Sequence, residues 1–188
     1  KGFNKIMFKK IFFFVIFIFP LFLFKNIYSA TPEVVMECPG LKSFKKWCAG
    51  EYKGSESKSC IMISTPISEK GQPPYKSRGQ VVATIYHMPA EYNLGVVYIT
   101  TGYTYKKDSI VTIKVDKNKD YEFNVLEGDS AFSDDEGVDK QLIVEMKKGN
   151  NMKVVGFSSR GTKTTDIYSL VGFNSAYTYI SNLCNVKN

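Results

Sequence analysis

The twenty residues NMKVVGFSSRGTKTTDIYSL, Asn151 to Leu170, decide the fold class. NMKVVGF (151–157) and TKTTDIYSL (162–170) read as strands, rich in β-branched and aromatic side chains. Between them stands Ser-Ser-Arg-Gly, a turn. Upstream, SIVTIKV places Val111, Ile113 and Val115 on one face and Thr112 and Lys114 on the other. DKNKD (116–120) is a turn, and YEFNV alternates again through Tyr121, Phe123 and Val125, so this segment reads as a half-buried hairpin.

Further upstream the strand-like runs are shorter and separated by breakers. LGVVYITT (94–101) is apolar on both faces and reads as a buried strand. GQVVATIYHM (79–88) ends at Pro89, and SCIMIST (59–65) ends at Pro66. EKGQPP (69–74) reads as an exposed loop, and EGDSAFSDDEG (127–137) as an acidic one. The segment from Thr31 to Ser59 has little periodicity, with Phe44 and the only tryptophan, Trp47, expected to pack against the body. Two helices interrupt the strands. DKQLIVEMKKG (139–149) puts Leu142, Ile143 and Met146 on one face and closes with two lysines and a glycine. Phe173, Ala176, Tyr177, Ile180 and Cys184 recur at helical spacing. The expected architecture is all-β: an antiparallel, jelly-roll-like β-sandwich with two short helices, in preference to an α/β sheet.

Residues 1–30 read as a signal peptide. A lysine-rich start precedes IFFFVIFIFPLFLF (11–24), and small residues follow, with cleavage expected after Ala30. Fourteen apolar residues broken by Pro20 fall short of the ~20 that a spanning helix needs, so contact with a membrane is expected only during export. Residues 31–188 then form a single domain, long enough for a proper core. The first thirty residues hold five lysines and no acid, so their removal takes the formal charge from +7 to about +2. A nearly neutral domain does not carry the basic signature of a nucleic-acid binder, and that class is set aside.

Four cysteines remain: Cys38, Cys48, Cys60 and Cys184. In an exported chain an even count reads as two disulfides, with three pairings open. Their spacings contain no CxxC pair of the kind zinc sites use. No metal and no cofactor is expected.

Catalytic constellations are weak. The single histidine, His87, ends an apolar strand and reads as lying on or near the surface. Ser158 and Ser159 offer hydroxyls without a GxSxG elbow. The carboxylates of SDDEG (133–137) fail the calcium-loop spacing and read as a solvated loop. The chain is expected not to be an enzyme.

Arginine is the conspicuous exception to a lysine-rich composition. The chain has only Arg78 and Arg160, each preceded by serine and followed by glycine. A guanidinium grips carboxylates through a planar fork that lysine lacks. The two arginines are therefore expected to form oriented pairs with acids such as Asp129, Asp139 or Asp166, pinning strand ends, while Gly79 and Gly161 let the turns approach closely. On this reading Arg160→Lys lowers the melting temperature. Ligand binding by Arg78, Gly79, Ser159, Arg160, Gly161 and Asp166 is the second use considered.

These landmarks also occur together in a familiar order. FKKWCAG (44–50), SCIMISTP (59–66), Gly102-Tyr103 with KKDS after it, EGDSAF (127–132), MKKG (146–149), GFSSRGTKTTDIYSLVGFNSA (156–176) and Cys184 resemble the invasion associated locus B family, secreted or periplasmic proteins of Gram-negative bacteria. The resemblance spans nearly all of residues 31–188. It implies an exported all-β domain without established enzymatic activity, and a role in host or cell-surface interaction. It also implies a Cys60–Cys184 bridge, which leaves Cys38 for Cys48. The expected partner is an envelope or surface protein of unspecified identity. A small-ligand or glycan-binding module is the alternative, served by tyrosines such as Tyr103 and Tyr105 on an exposed surface. A flat exposed tyrosine patch favours that alternative.

Overall fold

The computed structural model describes residues 37–74 and 77–187, so the expected signal peptide and its cleavage point lie outside the described residues. Two antiparallel sheets carry the fold. The larger has seven strands: β1 (Lys42–Phe44), β2 (Trp47–Glu51), β3 (Cys60–Ser64), β5 (Val82–Met88), β6 (Asn93–Thr100), β9 (Val125–Glu127) and β10 (Ser130–Phe132). Their spatial order is β1-β2-β3-β5-β6-β10-β9. The smaller has five: β4 (Ser68–Gln72), β7 (Val111–Val115), β8 (Asp120–Phe123), β11 (Asn151–Phe157) and β12 (Lys163–Ser169), in the order β4-β12-β11-β7-β8. Two helices, α1 (Glu136–Met146) and α2 (Phe173–Leu183), complete the described elements beside one 3₁₀ turn at Pro89–Glu91.

Alternation explains which face each strand buries. Met62 on β3, Ala83 and Ile85 on β5, and Val97 and Ile99 on β6 are all sealed in the core. From the other sheet Val111, Ile113, Val115, Met152 and Val154 join the same cluster. On β12 the inward positions are Thr164, Asp166 and Tyr168, which are polar or partly so. That end of the sandwich must therefore satisfy buried polar groups, and the site described below is built there.

The hairpin of Asn151–Leu170 forms as its pattern implies, with Met152 opposite Tyr168 and Gly156 opposite Thr164. Elsewhere the structure corrects the sequence reading. Residues 69–74 are not simply a loop, because β4 pairs with β12 from Ser68↔Ile167 to Gln72↔Lys163. SEKGQ has no apolar side chain, so nothing marked it as a strand; its polarity suits an edge that must not recruit another sheet. The segment before Ser59 contains the β1–β2 hairpin, turned at Lys45 with φ 63°. The acidic stretch 127–137 holds the end of β9 and all of β10, leaving Gly128, Asp129 and Ser133 to Asp135 outside regular structure before α1. Asp135 caps that helix by accepting from the Gly137 amide at 2.7 Å, which starts it three residues before the expected Asp139. β6 buries one face, and Val96, Tyr98 and Thr100 on the other remain half-exposed.

Both cross-links are formed: Cys38–Cys48 clips the β1–β2 hairpin, and Cys60–Cys184 ties β3 to the end of α2. Helix α2 packs on β2 and β3, where Trp47 meets the Phe173 ring edge-on at 5.0 Å and donates to the Ser169 carbonyl at 3.0 Å. Among the described residues no helix is long and apolar enough to cross a membrane.

Candidate functional site

The two arginine turns, 82 positions apart in sequence, converge on one cleft of about 300 Å³. Three local arrangements bring them together. The β11–β12 turn closes when the Gly161 amide donates to the Ser158 carbonyl at 2.8 Å and the Thr162 amide to Ser158 Oγ at 3.1 Å. The Ser159 amide then donates to the Thr104 carbonyl at 2.8 Å, which fastens the turn to the segment after β6. From the opposite side the Gly79 amide donates to the Gly102 carbonyl, also at 2.8 Å. A Cβ on Gly102 would lie 2.4 Å from the Gly79 carbonyl carbon, so this backbone crossing needs glycine.

At the floor of the cleft Arg78 pairs with Asp166 and Glu69. Its Nη2 contacts Asp166 Oδ1, and Nη2 and Nε reach Glu69 Oε2 at 2.9 and 3.0 Å. The Arg78 side chain is 4% exposed and that of Asp166 0%. Burial lifts the Asp166 carboxyl above the usual carboxylate range, against the opposing hydrogen bond and charge of Arg78. The pair thus satisfies an inward acid that β12 alternation places in the core, and it joins β12 to the loop before β5.

Tyr103 closes one wall, its hydroxyl 2.6 Å from Thr164 Oγ1 and its ring 5.9 Å from the Arg78 guanidinium. Tyr105 meets Tyr103 edge-on at 5.4 Å and is 5% exposed. Neither tyrosine belongs to a strand of the two sheets: Tyr105 is buried, and Tyr103, half-buried in the segment between β6 and β7, lines the cleft. Asp166 Oδ2, Tyr105 OH and Tyr168 OH are buried without a hydrogen-bond partner among the described residues. Burial drives both phenol pKa values far up, so both groups stay protonated.

Arg160 behaves differently from Arg78. Its side chain is exposed at the rim of the cleft and forms no ion pair among the described residues. Asp129 instead accepts from Thr101 through its carbonyl, and Asp139 lies in the first turn of α1. Gly161 sits at φ +85° with nothing within 4 Å of a built Cβ, so it serves turn conformation and not close approach. The expectation that Arg160 pins strand ends is corrected on these grounds.

His87 is likewise corrected: it is fully buried, facing Tyr177 edge-on at 5.3 Å, with Nε2 3.1 Å from Ser181 Oγ. Ser181 Oγ donates its proton to the Tyr177 carbonyl at 2.9 Å, so it accepts from His87 and Nε2 carries the hydrogen. Nδ1 is then a bare, buried acceptor. Burial, with the Lys147 charge nearby, lowers the imidazole pKa to about 4. The hydrogen bond runs in the direction opposite to that of a base activating a serine. Asp134 and Asp135 serve the entrance of α1, and no group of three metal-type ligands occurs among the described residues.

A second surface was not singled out from the sequence. The outer side of the larger sheet carries Ile61 and Ile63 from β3, Tyr86 and Met88 from β5, and Tyr98 from β6, beside Tyr52. They form a shallow groove of about 350 Å³ lined by no charged side chain. Tyr98 stacks on Phe132 at 5.8 Å. The available signal was a surplus of apolar residues at the second parity of β3, β5 and β6, which reads equally well as two-sided burial.

Comparison with known proteins matches residues 45–181 to the family model described as invasion associated locus B (IalB) protein. Among solved structures, the crystal structure of invasion associated protein b from Bartonella henselae aligns with a TM-score of 0.53 at 16% identity. The alignment covers 77% of this chain and 98% of that one. No curated protein matches the chain.

Proposed function

The chain belongs to the invasion associated locus B family, and on that premise we propose that it is an exported envelope protein, periplasmic or secreted, that binds another protein and catalyses nothing. Two disulfides fit an oxidising compartment. The reading rests chiefly on the uncharged outer face of the larger sheet. Tyrosines, isoleucines and a methionine gathered where charge is excluded have the composition of an interface core. The direction of the His87–Ser181 hydrogen bond supports a non-catalytic role.

A glycan-binding reading stands second. Tyr52, Tyr86 and Tyr98 form a tyrosine patch of the kind expected to favour it, and Thr84 and Thr100 stand beside them as hydroxyl donors. Ile61, Ile63 and Met88 weigh against it, since aliphatic side chains bury well against protein and poorly against sugar hydroxyls.

The test is site-specific photocrosslinking in cells from position 84, in the centre of this face, with identification of adducts by mass spectrometry. The expected result is a discrete protein adduct that Ile61→Glu abolishes without unfolding the domain. Absence of a protein adduct, together with retention of the purified domain on envelope polysaccharide that Tyr86→Ala removes, would replace the reading with the glycan one.

A further inference from the structure

The ion pair accounts for one arginine and leaves the other unexplained. Arg78 is buried against two acids, but Arg160 stands exposed on a turn held by hydrogen bonds of Ser158, Ser159, Gly161 and Thr162. In a chain whose other basic residues beyond Arg78 are all lysine, an exposed arginine with no ion pair among the described residues presents a planar fork that lysine lacks. The cleft at whose rim it stands is lined by hydroxyls, among them Thr104, Ser159 and Thr162, and by no carboxylate. The Arg78 charge is already balanced from behind by Asp166 and Glu69. Among the described residues, a ligand in the cleft therefore meets one uncompensated guanidinium and a set of neutral hydroxyls.

We propose that this cleft is a binding site for a small hydroxylated carboxylate, with Arg160 gripping the carboxylate through both its oxygens and the hydroxyls of Thr104, Ser159 and Thr162 holding the remainder. Bidentate geometry selects a planar carboxylate over a point acceptor. A volume of about 300 Å³ suits a ligand the size of one sugar acid. The pinned turn fixes the Arg160 backbone at the rim, so that of this residue only the side chain has to order on binding. This site is separate from the outer sheet face, and neither reading depends on the other.

The probe is glucuronate, titrated against the isotopically labelled folded domain with backbone amide shifts as readout. Glucose serves as the neutral control and inorganic phosphate as the non-planar anion. The expected result is saturable shifts at Thr104 and at Ser158 to Thr162 with glucuronate alone. Arg160→Lys should weaken binding about tenfold or more while the melting temperature stays within about 1–2 °C of the parent, as for surface substitutions generally. Equal binding by Arg160→Lys, equal binding of phosphate, or no saturable shift with glucuronate would each overturn the proposal.

Discussion

Arg78 and Asp166 lie 88 residues apart and meet as an ion pair that solvent hardly touches, their side chains 4% and 0% exposed. Asp166 remains harder to ionise than an ordinary aspartate even with the guanidinium beside it. Desolvation therefore outweighs the attraction, and the pair fixes strand position at a cost. Removing one partner leaves a buried charge with nothing opposite. Arg78→Ala should destabilise the domain by about 3–5 kcal/mol, a melting-temperature loss on the order of 10 °C. Arg78→Met combined with Asp166→Leu should recover most of that loss in thermal denaturation. A double variant as unstable as the single one would show that the pair itself, and not the stranded charge, carries the stability.

Gly102 and Gly161 both occupy the left-handed region, at φ +66° and +85°, yet their substitution should differ sharply. Alanine at Gly161 meets open space and should cost about 1 kcal/mol, the conformational penalty alone. At Gly102 the same Cβ would press into the Gly79 backbone, forcing the Arg78 loop away from its acid. Gly102→Ala should cost several times as much by urea denaturation, and equal costs would remove the backbone crossing from the account of the cleft.

The two disulfides close loops of very different length, with separations of 10 and 124. Chain-entropy reasoning gives about 3 kcal/mol for the first and about 5 kcal/mol for the second. Paired Cys→Ser substitutions should therefore rank with Cys60–Cys184 as the greater loss. The opposite ranking would mean that the N-terminal clip holds Trp47 and α2 in ways loop length does not capture.

Where one face of a strand is apolar and the other polar, as in Val111–Val115 and Asn151–Phe157, residue order alone specifies both the strand and its orientation. The edge strand Ser68–Gln72 was illegible because it contributes hydrogen bonds and no apolar side chain. Arg78 and Arg160 stood out by rarity, but their opposite fates depended on burial. Arg78 faces an inward position of the neighbouring strand, while Arg160 tips a hairpin, and no spacing rule links those places across 82 residues. His87 was misplaced because Pro89 marks the strand end but says nothing of α2, which arrives from the far end of the chain to cover it.

Two buried titratable groups beside this core should oppose each other as pH changes. His87 has its pKa lowered to about 4 from 6.5, so its stability contribution is complete above pH 6.5 and is lost as pH falls through about 4. Asp139 is 4% exposed and accepts from the Val97 amide at 3.4 Å. Burial raises its pKa from 3.8 to about 7, with the acids Asp135 and Glu136 adding to the rise. Its contribution is complete below pH 3.8 and is lost as pH rises through about 7. Between pH 4 and 6.5 the two slopes have opposite signs and largely cancel. Asp139→Asn should gain stability over the parent as pH rises across this window and on to pH 8, by at most about 4 kcal/mol. His87→Gln should gain over the parent as pH falls from 6.5 to 4, by at most about 3 kcal/mol. Urea denaturation of the parent and both variants across pH 4–8 measures these differences directly, with every other titrating group common to the three proteins. Parallel pH profiles for parent and variants would mean that neither group changes its proton affinity on folding.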